Sequence, residues 1–138
     1  MAFQLASQPI PGLPDSVAVK VAGQLDLLLA PTFREQFEAA LPPQVQYLLA
    51  ILDDVEFIDS HNLGVFVAAY QRVKARGGWL GMICHSPQVG RVFEVTNLNR
   101  LFRVFDTWEE FRKSLVEAGI LAPEVPFPAP TFGGRSAG

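Results

Sequence analysis

Apolar residues form two patterns along the chain, one alternating and one continuous, and each pattern predicts one kind of β-strand. Residues 16–22 place valines at every second position, which is typical of a half-buried strand. Residues 47–52 and 79–84 are almost continuously apolar, as expected for central strands that are buried on both faces. Residues 101–105 predict a fourth main strand, and residues 3–7 predict a short strand at the edge of the sheet.

Capping residues divide most of the remaining chain into four helices. Each should begin at a hydroxyl or carboxylate cap or at a proline, and each should stop at glycine, asparagine or a proline pair. The predicted helices cover residues 31–41, 60–76, 87–97 and 108–118. Because helices alternate with strands, we expect a single α/β domain. Its central mixed, mostly parallel β-sheet should have four to five strands with about four helices packed around it.

The helix predicted over residues 60–76 carries an unusually wide apolar stripe. Phe66 and Ala69 widen the line of apolar positions that starts at Leu63. A stripe this wide predicts burial on more than one side of the helix. We therefore expect part of it to be exposed in the isolated domain, available to a partner or to a second copy in a weak homodimer.

Composition narrows the class of protein. The chain has 138 residues, of which 49% are hydrophobic and 18% are charged, and the net charge is −3. Without a clustered basic stripe, nucleic acid is not an expected partner. A single cysteine, the lack of a signal peptide and the lack of an apolar run near ~20 residues predict a cytoplasmic protein that does not enter a membrane.

The composition changes at Pro123. Residues 123–138 contain four prolines and a glycine-rich end, which predicts a flexible tail behind a domain over residues 1–122. Phe127 and Phe132 offer side chains that can still dock on the domain.

Residues 57–64 form the first candidate functional site. They follow the strand over 47–52 and a polar stretch over 53–56 that predicts a turn, and they lead into a helix. Asp59 and Ser60 are both good N-cap residues. In open α/β sheets, sites form where a strand delivers the chain to a helix.

Asp59, Ser60 and His61 contain the three residue types of a serine-hydrolase triad, but their arrangement is wrong for one. Triad side chains converge from different elements, whereas consecutive residues at a helix start diverge. The nucleophile-elbow pattern G-x-S-x-G is also missing. Cys84-His85 is too small a set for a metal, and no glycine-rich nucleotide loop is present. We therefore expect no enzyme activity, metal or cofactor.

Two interpretations of Ser60 stay open from the residues alone. As an N-cap it would stabilise the helix by ~1 kcal/mol. As a regulatory phosphorylation site it would gain about −1.5 to −2 charges, which a helix N-terminus tolerates and a docking face does not.

Several short motifs occur in order between residues 16 and 115 and together carry a family resemblance. They are Gly23-Gln24-Leu25-Asp26, Ala30-Pro31, Phe57-Ile58-Asp59-Ser60, Leu63-Gly64, Gly77-Gly78 and Val92-Phe93-Glu94-Val95-Thr96, with Leu98, Leu101 and Phe102 behind them. The set resembles the bacterial anti-sigma factor antagonists, which are STAS domains, named for sulfate transporters and anti-sigma antagonists.

The resemblance implies a partner-switching regulator. Such proteins bind an anti-sigma factor, often a serine kinase with a histidine-kinase-like ATPase fold, and so release a sigma factor. The resemblance implies that the kinase phosphorylates Ser60 and that a PP2C-type phosphatase reverses this. Asp26 and Asp59 match the acidic positions that line the family's phosphorylation site. The implied docking face consists of Gly23, Gln24, Leu25, Asp26, Asp59, Ser60, His61, Asn62, Leu63 and Gly64.

The chain departs from the family at two positions. The family usually has a small residue and a glycine after the serine, and this chain has His61 and Asn62. Asn62 adds bulk to a helix start that the family keeps bare, and a charged His61 offers a partner for a phosphoryl group. An unphosphorylated STAS scaffold or ligand-sensing docking module is therefore the alternative.

Overall fold

Five strands form one sheet in the computed structural model, which describes residues 3–132, 135 and 136. In chain order the elements are β1 (Phe3–Gln8), β2 (Ser16–Leu25), α1 (Ala30–Ala39), β3 (Tyr47–Ile58), α2 (Ser60–Ala75), β4 (Trp79–Ile83), α3 (Pro87–Val95), β5 (Arg103–Phe105), α4 (Trp108–Glu117), β6 (Thr131–Phe132) and β7 (Arg135–Ser136). The sheet has the order β1-β2-β3-β4-β5, with β1 antiparallel to β2 and the other neighbours parallel. The predicted mixed, mostly parallel α/β sheet is confirmed.

Each face of the sheet carries its own apolar cluster, because successive side chains of a strand point to opposite faces. On one face, Val19 of β2 and Leu48 of β3 pack with buried residues of α1, α2 and α3. On the other face, Ala18 and Leu49 pack with Trp108 of α4. Helices thus cover both faces, which explains why the central strands are continuously apolar.

β3 is longer than the sequence predicted. Residues 53–56 continue the strand to Ile58 instead of forming a polar turn. The reason is that β2 also continues, to Leu25, and supplies backbone partners for this part of β3. The polar side chains are then accommodated outside the core, as in the ion pair between Lys20 and Asp54 at 3.2 Å. The prediction of a turn over 53–56 is wrong.

The wide apolar stripe of α2 is covered from several sides. Phe66 is 0% exposed and Ala69 is 5% exposed. The Phe66 ring lies 5.7 Å from the Phe33 ring and 5.3 Å from the Phe37 ring of α1, and 6.3 Å from the Phe93 ring of α3. Because α1 and α3 flank the helix and the sheet lies beneath it, the predicted exposure of this stripe is wrong. Phe66 and Ala69 are therefore not available to a second copy.

The segment after α4 packs against the domain in the part that the structure describes. The Phe127 ring is stacked on the Trp108 ring at 5.1 Å, and the Trp108 indole N–H donates to the Phe127 carbonyl at 2.9 Å. Arg112 donates to the Pro123 carbonyl at 2.8 Å. These contacts agree with the docking expected for Phe127, and the flexibility of residues 123–138 stays a prediction. The boundary after residue 122 stays a prediction. The rest of the predicted tail lies outside the described residues at Gly133, Gly134, Ala137 and Gly138.

Two smaller predictions also meet the structure. The predicted start and stop signals of the helices are confirmed at two positions: the hydroxyl of Ser86 caps α3, and the glycine that follows α2, Gly77, has a φ of 76°. The strand expected over 101–105 is shorter, because Leu98–Arg100 forms a 3-10 turn and pairing begins only at β5.

Candidate functional site

The candidate site lies where β2 and β3 end side by side. The two strands are parallel, and their last paired residues are Leu25 and Ile58. The backbone N–H of Asp59 donates to the Leu25 carbonyl at 3.1 Å, which continues the pairing by one residue. Asp26 and Asp59 therefore leave the same edge of the sheet, although they are far apart in sequence.

Asp59, and not Ser60, caps α2. Its backbone is extended, with φ −99° and ψ 172°, and one carboxylate oxygen accepts from the backbone N–H groups of His61 at 3.0 Å and Asn62 at 3.2 Å. An aspartate is favoured here because its negative charge also interacts with the helix dipole. The interpretation of Ser60 as the N-cap is therefore wrong.

Ser60 is left as the first residue of the helix, with an exposed side chain. Among the described residues, its hydroxyl has no hydrogen-bond partner. A serine in this position contributes little to the stability of the fold. Its hydroxyl is open to another molecule.

Asn62 is fully buried and joins three parts of the site. Its side-chain amide nitrogen donates to the Leu25 carbonyl at 2.7 Å, to the Asp26 carbonyl at 3.0 Å and to an Asp59 carboxylate oxygen at 3.1 Å. The sequence predicted that Asn62 adds bulk at the helix surface, but the side chain points inward. From the interior of the domain, Asn62 therefore holds the Leu25–Asp26 backbone and the Asp59 side chain in position. Its own side-chain oxygen has no partner among the described residues.

Asp26 holds the turn that follows β2. Its carboxylate accepts from the Leu29 backbone N–H at 3.2 Å, which fixes the 3-10 turn Leu27–Leu29. This turn projects Leu28, whose side chain is 88% exposed. Sequence reasoning missed Leu28, although a run of three leucines directly after the matched Gly23–Asp26 motif was a signal.

The ten residues predicted for the docking face are not equally accessible. Exposed side chains or surfaces belong to Gln24, Ser60, His61 and Gly64. Those of intermediate exposure are Gly23, Asp26 and Asp59, and those that are buried are Leu25, Asn62 and Leu63. The buried ones support the surface from inside.

Away from this site, a cleft at the ends of β4 and β5 is lined by Cys84 and His85. Burial raises the pKa of the Cys84 thiol, and burial also raises the pKa of the Asp53 carboxyl, although a hydrogen bond from the His85 backbone N–H opposes that shift.

No group of three or more histidine, cysteine or acidic side chains in the described ranges is arranged to hold a metal. The described helices include none that is long and apolar enough to cross a membrane.

Known proteins resemble this chain both in sequence and in fold. A sequence model of the STAS domain matches residues 8–111. The anti-sigma-B factor antagonist of Bacillus subtilis (strain 168) is 34% identical over 90 residues, which is 65% of this chain and 82% of that protein.

Two solved structures share the fold. An anti-sigma factor antagonist from Mycobacterium paratuberculosis superposes with a TM-score of 0.71 at 22% identity, over 82% of this chain and 93% of that one. The Bacillus cell fate determinant SpoIIAA in its phosphorylated form superposes with a TM-score of 0.54 at 21% identity, over 83% of this chain and 99% of that one.

The chain therefore belongs to the STAS domain family. Within that family, its relatives in sequence and in fold are anti-sigma factor antagonists, as the motifs predicted. An anti-sigma factor antagonist is, by its name, a regulatory protein.

Proposed function

We propose that this protein is an anti-sigma factor antagonist that phosphorylation of Ser60 switches off. The unmodified form binds an anti-sigma factor that is also a serine kinase, and binding releases a sigma factor in the cytoplasm. A PP2C-type phosphatase restores the unmodified form. The observation that carries the proposal is the exposed, unbonded hydroxyl of Ser60 at the strand edge that also carries Asp26 and Asp59.

The surface around Ser60 suits reversible docking. Gln24, His61 and Gly64 are exposed beside it, and Leu28 adds an apolar side chain at the same edge of the sheet. Interfaces often combine such an apolar anchor with a polar rim. Because Asn62 braces the edge from inside, the partner meets a surface that is already formed.

Phosphorylation would oppose docking without unfolding the domain. A phosphate adds about −1.5 to −2 charges next to two carboxylates, and a partner would have to desolvate all of them. Within the domain the same charge is tolerated, because Ser60 lies at the positive end of the α2 dipole and is exposed.

The local geometry favours binding over hydrolysis. In a catalytic triad, the carboxylate accepts from the imidazole and the imidazole contacts the serine. Here Asp59 accepts from the backbone N–H of His61 instead. We therefore assign no catalytic role to Ser60 or His61, and no metal or cofactor.

The test is phosphorylation by the cognate anti-sigma factor kinase with ATP, followed by intact-mass measurement. We expect one phosphate on the wild-type chain and none on Ser60→Ala. Ser7→Ala, which removes another exposed serine, should still accept one. The phosphorylated chain should lose binding to the kinase while keeping its melting temperature. An unmodified wild-type chain in the presence of an active kinase that still binds it would favour the unphosphorylated docking module.

A further inference from the structure

Arg34 of α1 reaches the exposed face of α2 that carries Ser60. Both helices follow parallel neighbouring strands, so they run side by side in the same direction. One terminal guanidinium nitrogen of Arg34 lies 4.0 Å from the place that a Cβ atom on Gly64 would occupy. Because Gly64 has no side chain, the guanidinium lies over bare helix backbone.

Gly64 and Ser60 occupy the same face of α2, one turn apart. Residues at positions i and i+4 are neighbours on a helix surface, separated by about 6 Å along the axis. Ser60, Gly64 and Ala68 are all exposed, so no large side chain stands between Arg34 and the first turn. Long side chains on helices lean towards the N-terminus, which directs Arg34 towards the level of Ser60.

Two backbone N–H groups in the first turn of α2 are not free to bind a phosphate on Ser60. The N–H groups of His61 and Asn62 are already bonded to the Asp59 carboxylate. The other charged groups near this turn are the carboxylates of Asp26 and Asp59, which repel a phosphate, and the His61 imidazole. The Arg34 guanidinium is a permanent cation beside this face at Gly64, and it pairs with no carboxylate in the described part of the chain.

We infer that Arg34 is the intramolecular partner of phosphorylated Ser60. Its guanidinium can offer two parallel N–H groups to phosphate oxygens, which is the strongest common geometry for such a pair. The pair would tie α1 to the first turn of α2 and hold the phosphate over Gly64, across the docking face. This inference rests on the proposed function, since it concerns the same modification of Ser60.

The test uses a chain in which phosphoserine is installed at position 60 during translation, so that no kinase is needed. The pKa of the phosphate's second ionisation is then followed by phosphorus NMR across a pH titration. Each protein also carries His61→Gln, so that no imidazole lies beside the phosphate. A paired guanidinium favours the dianion. We therefore expect the acid dissociation constant to be about twofold to fivefold larger with Arg34 than with Arg34→Gln.

Arg76→Gln is the matched control, because it removes the same charge from the exposed far end of α2. It should leave the dissociation constant close to that of the parent, and Arg34→Lys should recover part of the shift. Equal constants for Arg34→Gln and Arg76→Gln would overturn the inference. Since the phosphate is installed directly, this result is independent of whether the cognate kinase modifies Ser60, so failure of the proposed function is seen separately.

Discussion

The side-chain amide of Asn62 donates a hydrogen bond to the main-chain carbonyl of Leu25 over 2.7 Å, across 37 positions of sequence. This contact joins the first turn of α2 to the end of β2. Asn62 also donates to Asp26 and to Asp59, and so fixes the positions of these two residues relative to each other. The shape of the proposed docking surface thus depends on Asn62, whose side chain is buried beneath that surface.

Asn62→Ala should destabilise the domain and loosen the site. The change removes the Asn62 hydrogen bonds to the Leu25 and Asp26 carbonyls, which keep the backbone N–H groups of Asp59 and Leu29, and to the Asp59 carboxylate. Each lost hydrogen bond contributes about 0.5–1.5 kcal/mol, and removal of the unpartnered Asn62 side-chain oxygen offsets part of the loss, so the net cost should be about 1–2 kcal/mol. We expect the free energy of unfolding, measured by urea titration, to fall by that amount. Asn99→Ala, at an exposed position, is the matched control and should change it by less than about 0.5 kcal/mol. Similar values for the two variants would contradict the bracing role of Asn62.

Asp59→Ala and Ser60→Ala distinguish the cap of α2 from the residue proposed as the switch. Loss of a side-chain cap costs about 0.5–2 kcal/mol, so Asp59→Ala should lower the free energy of unfolding by about 1 kcal/mol. Ser60→Ala should change it by less than about 0.5 kcal/mol, because the exposed hydroxyl has no partner among the described residues. Thermal unfolding of both variants tests this. A larger loss for Ser60→Ala would return the capping role to the serine.

The sequence was sufficient for most of the architecture but not for the inner part of the site. The alternating and continuous apolar runs predicted where the strands lie, because burial on one or both faces imposes those patterns, but not where β3 ends or β5 begins. The width of the α2 stripe was visible around Phe66. Its burial depended on flanking helices whose positions no local pattern contains.

Similar limits apply to the residues of the site. Asp59 and Ser60 both suit an N-cap, and the length of β3 decides between them. The inward direction of Asn62 depends on the Leu25 carbonyl, which becomes its neighbour only after β2 and β3 have paired. Tertiary contacts therefore determined which residue caps α2 and in which direction the Asn62 side chain points.

Leu28→Ser should weaken binding of the anti-sigma factor without affecting folding. The side chain is 88% exposed, so it contributes little to the core, yet it lies two residues after Asp26 at the proposed docking edge. Complete burial of a leucine side chain is worth about 1.5–3 kcal/mol through the hydrophobic effect. We expect the dissociation constant, measured by calorimetry with the anti-sigma factor, to rise about tenfold.

The matched control for Leu28 is Val95→Ser on α3, where the side chain is 71% exposed. It removes a similar apolar surface away from the ends of β2 and β3 and should leave binding unchanged. If Val95→Ser weakened binding as much as Leu28→Ser, the docking surface would have to extend to α3 or lie there instead.

Asp53→Asn should make the stability of the domain less sensitive to pH. Burial raises the pKa of Asp53 in the folded state, with opposing effects from the His85 N–H and from Lys20. A group whose pKa is raised on folding binds its proton more tightly in the folded state. Its stabilising contribution is therefore present at low pH and lost as the pH rises through that pKa. Relative to wild type, Asp53→Asn should gain stability in urea titrations as the pH rises above the ordinary aspartate pKa of about 3.9. Glu56→Gln removes the same charge from an exposed position of β3 and controls for net charge. A gain no larger than that control would mean that Asp53 carries no penalty from burial.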